Sequence, residues 1–326
     1  MSTGMKERNT LQKQLSQEES CHDALAQSAQ DLYDEESSEY ESESGECLDE
    51  TYVIRNVPKN NTKKCCKLFE KFLAAELEFS EKDNAMFARM DEKCIDLRDW
   101  LMEEDIRWQG HVLCIHHSAT IEGNTCSPTQ IHEILKSGQP IAGKPPIECH
   151  EIIGLDAAIN QLPLTGRFEE YDLWRVHWNL FKAIDPASAG KYRKVQVFVG
   201  SHVPPSWKAV PKLMVKWCHW MNQHHSNLHP VVLAAIAHFS LVFVHPFVDG
   251  NGKISRLFMN LVLAQHGFPP TIIQYGDRSL YYDCLERAEE SGDIIPLIRF
   301  ITKCTDRTLD FYLTNNLSTV DNLDLE

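Results

Sequence analysis

His245-Pro246-Phe247-Val248-Asp249-Gly250-Asn251-Gly252-Lys253-Ile254-Ser255-Arg256 lies between two apolar segments of helical character, Pro230 to Val244 and Lys253 to His266. The stretch reads as helix, tight loop, helix. Gly250-Asn251-Gly252 can take positive φ, turning successive backbone N–H groups inward at the start of the second helix, where the macrodipole is positive. Such a nest binds anions. Lys253 and Arg256 emerge on the first turn of that helix, so both can place full charge on one phosphate. Asp249 is a hard oxygen ligand suited to Mg2+, the usual companion of a polyphosphate. His245 stands beside the cluster, placed for proton transfer. Each residue alone is ordinary, since His-Pro ends many helices and Asp-Gly-Asn-Gly is a common loop. Their conjunction within twelve residues points to chemistry on a phosphate.

Outward from this stretch the chain is mainly α. Leu68, Phe69, Phe72, Leu73 and Leu77 recur at helical spacing, as do Ile95, Leu97, Trp100, Leu101 and Ile106. Further helices are predicted over Thr129 to Lys136, His150 to Asn160, Glu169 to Phe181, Val210 to Asn222, Arg278 to Ser291 and Ile295 to Leu313, with Gly and Pro marking the loops between them. The exception is Val195 to Val199, where valines alternate with Gln196 and Phe198 between Gly190 and Gly200, a strand or hairpin signal.

The net charge of −15 is concentrated, because ten Asp/Glu and no Lys/Arg fall between Asp31 and Glu50. Residues 1–50 therefore read as an acidic, disordered tail, followed by a helical N-terminal region at 51–110, a main domain at 111–315 that the family resemblance given below marks as catalytic, and a short C-terminal tail at 316–326. An acidic chain repels phosphate backbones and anionic lipid, so neither nucleic acid nor a membrane surface is an expected partner. Eleven scattered cysteines without a CxxC pair fit a reducing compartment. No signal peptide or membrane span is read, which predicts a cytoplasmic location with the nucleus as an alternative. The histidine groups His111, His116, His117 and His219, His224, His225, His229 lack the spacing of a zinc site.

The central stretch resembles the signature of the Fic (filamentation induced by cAMP) family, HxFx(D/E)GNGRxxR, with Lys253 in place of the first arginine. A second element agrees: Ser118-Ala119-Thr120-Ile121-Glu122-Gly123-Asn124-Thr125 resembles the (S/T)xxxE(G/N) inhibitory motif of self-restrained members. The similarity extends from about Cys94 to Leu313 and is greatest to animal members that modify an Hsp70-type chaperone of the endoplasmic reticulum.

The resemblance implies a Fic-type helical bundle with a small β-hairpin flap, and a protein adenylyltransferase that moves AMP from ATP to Ser, Thr or Tyr hydroxyls of target proteins. Mg2+ or Mn2+ would assist. His245 would be the general base and Asp249 the metal ligand. Gly250, Asn251 and Gly252 would cradle the phosphates, Lys253 would take the inner part of the leaving pyrophosphate and Arg256 its terminal phosphate. Tyr281 and Tyr282 match a family pair near the base. Val197, Phe198 and Val199 would form a flap holding a target segment by strand addition. Glu122 would restrain the enzyme by pairing with Arg256, and would also orient a water that hydrolyses AMP off the target. Hsp70-type chaperones are candidate targets and a homodimer is an open arrangement. Glu289 stands where the animal members offer an adenine-reading asparagine, and this keeps two alternatives: transfer of another nucleotide or phosphate-linked group, and a catalytically quiet interaction protein.

Overall fold

A computed structural model describes residues 59–73, 77–97, 104–163, 166–200 and 202–314. The expected tails, 1–50 and 316–326, lie outside the described residues. Eleven α-helices carry the described chain: α1 Lys59–Leu73, α2 Glu81–Asp96, α3 Glu104–Ile121, α4 Pro128–Ser137, α5 Pro146–Asn160, α6 Glu170–Phe181, α7 Val210–His224, α8 Pro230–Val244, α9 Asn251–Gln265, α10 Arg278–Ser291 and α11 Ile295–Thr314.

Local chemistry sets many of these ends. Ser80 and Asp83 form a reciprocal capping box at the start of α2, and Ser127 and Gln130 form one at the start of α4, where Pro128 occupies the first turn. Helix α8 is the axis of the fold. Every residue from Val231 to Val244 is buried, as expected of a helix apolar on all sides. Helix α9 packs along it, and α7 and α11 flank it. Helix α2 is fastened to α11 by a two-pronged Arg299–Asp83 contact, 2.9 and 2.8 Å, and by Lys93–Asp306 at 2.7 Å. Helices α5 and α6 approach so closely that a Cβ on Gly154 would collide with the backbone carbonyl of Leu180.

Two expectations are corrected. Ile95 to Ile106 is not one amphipathic helix: α2 ends at Asp96, Ile95 is 60% exposed, Leu97 is buried, and residues 98–103 lie outside the described residues. Helix α3 runs across residue 110, and residues from Cys65 to Tyr312 share one hydrophobic core. The hairpin at Val195 to Val199 is reduced to a single antiparallel bridge, Val199 to His202, and there is no strand among the described residues. Proline is the reason. The next paired position along such a ladder sets Val197 against Pro204, which has no N–H to give. Gln196 Nε2 fills the gap, donating to the carbonyls of Val197 at 3.2 Å and Pro204 at 3.0 Å.

Candidate active site

The site is built where α8 stops. His245 closes that helix with φ 52°, ψ 60°, the one non-glycine positive φ among the described residues, and Pro246 after it prevents the helix from continuing. His245 Nδ1 lies 3.2 Å from the Val242 carbonyl oxygen, which can only accept, so Nδ1 carries the hydrogen. In the neutral ring Nε2 is then the basic nitrogen. Burial pulls the His245 pKa down to about 4, so the ring is neutral at physiological pH.

Four residues hold the loop after His245. Asn251 accepts from Phe247 N at 2.9 Å and donates to Phe247 O at 3.0 Å, closing the loop with both ends of its amide. The His177 ring is stacked between Phe181 and Phe247, its centroid 4.7 and 3.9 Å from theirs. Its Nδ1 accepts from Gly190 N at 2.9 Å, so Nε2 donates to the Asp249 carbonyl at 3.2 Å. Gly250 has φ 74°, and a Cβ there would also run into the Phe181 ring. The Asp249 side chain is exposed at the tip, bonded through Oδ1 to Gly250 N at 2.6 Å. Among the described residues no three His, Cys, Asp or Glu side chains converge on a metal site, and the oxygen ligand this loop itself offers is the exposed Asp249 carboxylate. That fits a cation arriving on a polyphosphate, with phosphate and water completing its shell.

Arg256 is buried within the first two turns of α9. Its Nε donates to Ser118 Oγ at 3.0 Å, and Nη2 donates to Ser118 O and to Glu122 Oε1, each at 2.9 Å. The predicted Glu122–Arg256 pair is therefore present. Burial alone would raise the Glu122 carboxyl, but Arg256 and then Lys253 hold it below its ordinary value. Gly252 leaves the room for this pair, since a Cβ there would strike Glu122 Oε1 and come within 3.3 Å of Arg256 Nη1. Lys253 is paired with Glu151 of α5 at 2.6 Å.

Arg193 is the residue the sequence reading missed. It is 2% exposed, and it straps the flap to the end of α8: Nε donates to His245 O at 2.7 Å, Nη1 to Val195 O at 2.9 Å and Nη2 to Pro205 O at 2.6 Å. A cation at a helix C-terminus is favoured by the macrodipole. Only the alternation around Val195 drew attention to this segment, and nothing in it distinguishes this arginine from a solvated one.

Of the flap residues, Val197 is buried, whereas Val195, Phe198 and Val199 are exposed. Of the two tyrosines, Tyr282 is exposed with Arg278 over its ring at 4.8 Å, while Tyr281 is 1% exposed and pairs with His238 Nε2 at 2.8 Å. Glu289 lies 3.4 Å from His202 Nδ1 on the flap turn. His202 Nε2 donates to Phe243 O at 3.0 Å, and burial keeps that ring neutral, leaving Nδ1 a lone pair. Burial, with Glu286 and Glu290 nearby, pushes the Glu289 carboxyl up to about 8.

The family described as Fic/DOC matches residues 167–263, from just before α6 to near the end of α9. A solved structure of Fic-1 from C. elegans, residues 134–508, shares 30% identity and a TM-score of 0.60, covering 80% of this chain and 73% of that one. This chain belongs to the Fic/DOC family. A protein adenylyltransferase Fic of Drosophila virilis is 45% identical over 204 residues, which is 61% of this chain and 42% of the relative's length. The chain thus matches about two fifths of the length of that curated relative. A Fic family protein from Desulfovibrio desulfuricans, 24% identical with a TM-score of 0.63, shares the fold. The Fic/DOC match covers His245 and both cations of the loop; Glu122 lies upstream of it.

Proposed function

We propose that the chain is a protein adenylyltransferase, restrained by Glu122. The observation that carries this reading is the fixed tautomer of His245, whose basic Nε2 stands at the mouth of a loop that ends in a helix N-terminus with two buried cations. In the reaction, a hydroxyl oxygen of the target attacks the α-phosphorus of ATP. Its proton passes to His245 Nε2, the bond to the β-phosphate oxygen breaks, and pyrophosphate leaves. Arg256 and Lys253 receive the departing charge, together with the N–H groups at the start of α9. Asp249 would hold Mg2+, which when bound neutralises phosphate charge. The exposed edge of Val195, Phe198 and Val199 supports a role in holding an extended target segment. The name of the curated Drosophila relative supports the same chemistry.

Glu122 opposes this reaction while it occupies Arg256. Once released, the same carboxylate can take a proton from a water whose oxygen attacks the phosphorus of the target-bound adenylyl group, while the bond to the target oxygen breaks and that oxygen receives a proton from His245; this hydrolysis makes removal of AMP a second activity to assay. Purified Glu122→Gly protein, incubated in parallel with ATP, CTP, GTP and UTP each labelled at the α-phosphate, tests the proposal. Label from ATP should pass to protein; transfer from another nucleotide in preference would reassign the donor, and label from none would leave a binding role for the fold.

A further inference from the structure

Both cations of the anion loop are already matched by carboxylates, and the two carboxylates come from different elements. Arg256 meets Glu122 from the turn after α3, and Lys253 Nζ meets Glu151 Oε1 from α5 at 2.6 Å. The lysine and arginine side chains are 8% and 5% exposed. Glu151 has a second bond, from Asn124 Nδ2 to Oε2 at 2.6 Å. Asn124 lies two residues beyond Glu122 and is itself fixed, donating to Glu148 O at 3.1 Å and accepting from Cys126 N at 2.9 Å. The groups run Glu151, Lys253, Glu122, Arg256, with Lys253 close enough to Glu122 to act on its carboxyl.

Two positive charges facing two negative ones leave this array neutral, where a polyphosphate needs positive potential. Freeing Arg256 restores one charge only. Lys253 would still face Glu151, and Asn124 would still hold that carboxylate in place. Resting on the reading of the loop as a polyphosphate site, we propose that Glu151 is a positioning residue that withholds Lys253 from the phosphates, a second restraint beside Glu122 and tied to its turn through Asn124. Lysine suits this role. Its ammonium is a point charge on a flexible stem, able to leave a carboxylate for a phosphate without giving up a two-pronged fork.

The test uses the whole chain and inorganic pyrophosphate with Mg2+, so that binding is read without any transfer. Calorimetry on Glu122→Gly and on Glu122→Gly with Glu151→Gln should show about tenfold tighter binding in the second, the scale of one hydrogen bond to a charged group. The gain should vanish when Lys253→Gln is added, which a merely structural role for Glu151 would not predict. Glu151→Asp keeps the charge but draws it back from Lys253, and should shift affinity in the same direction by a smaller factor; it decides the matter if Glu151→Gln melts early. Unchanged or weaker binding in the folded Glu151 variants would overturn the proposal. If pyrophosphate binding responds while no AMP is transferred, the adenylyl-transfer reading fails alone; if AMP is transferred and pyrophosphate binding does not respond, this proposal fails alone.

Discussion

At the scale of the residue, function rests on which atoms carry protons. His245 was legible because its position before Pro246 and the Asp-Gly-Asn-Gly loop is a sequence feature, but its tautomer depends on the Val242 carbonyl, which only the turn at φ 52° brings within reach. A base with a pKa of about 4 is neutral from pH 5 to 8. Glu122, held below its ordinary 4.5, stays charged over the same range. The pH profile of AMP transfer by Glu122→Gly should therefore show no histidine step near 6.5 and should fall only on approach to pH 4; a midpoint near 6.5 would show that His245 is not desolvated in the working enzyme. His245→Ala should lower transfer by ~10²–10⁴-fold or more while leaving the thermal midpoint nearly unchanged. The proposed brake is a contact between charges, Arg256 Nη2 to Glu122 Oε1 at 2.9 Å. Glu122→Gly and Glu122→Gln should each raise self-modification about ten- to hundredfold, from ~1–3 kcal/mol for a hydrogen bond between charged groups. Glu122→Asp should activate less, and Arg256→Ala should not activate at all; an active Arg256→Ala would remove that cation from both roles.

At the scale of the element, the loop and the flap are held to α8 by groups whose importance the sequence conceals. Helix ends were readable from Ser127, Gln130, Pro128 and Gly138, because capping chemistry is local. The flap was not, because alternation at Val195 to Val199 signals a strand without revealing that Pro204 denies it a partner. Arg193 was invisible for a different reason: its partners are carbonyls of Val195, Pro205 and His245, brought together only by the fold. Replacing Arg193 by Ala strands several buried carbonyls, and should cost roughly 2–4 kcal/mol in chemical denaturation. The same change should lower transfer in the Glu122→Gly background, since His245 and the flap lose their common strap. Arg193→Lys can satisfy only some of those acceptors and should recover part of each. Unaltered stability in Arg193→Ala would show that the strap is dispensable.

At the scale of the whole molecule, the sequence disclosed a helical body and an apolar central segment, Val231 to Val244, that the structure uses as its axis. It did not disclose that residues from Cys65 to Tyr312 share one core, since pattern along the chain does not report which helices pack together. The core also encloses several neutral histidines. Burial lowers His177 and His245 to about 4 and His117 and His238 to about 3. Each takes up its proton more readily unfolded, at its ordinary 6.5, than folded. The unfolded chain thus binds more protons below that pH, and stability should fall as pH drops from 6.5 towards 4. Glu289 acts at the other end, for its folded value of about 8 means that stability from the buried acid is lost as pH rises from 4.5 through 8. Melting temperatures across pH 4 to 9 should show both slopes, and Glu289→Gln should flatten the alkaline one; an unchanged alkaline slope would place the ionised form of Glu289 in the fold. The central claim, AMP transfer by His245 restrained by Glu122, is tested most directly by the intact mass of three proteins after incubation with Mg2+ and ATP. Adenylyl groups should be added to Glu122→Gly, far fewer to the parent, and none to Glu122→Gly combined with His245→Ala. Equal modification of all three, or none on Glu122→Gly, would contradict it.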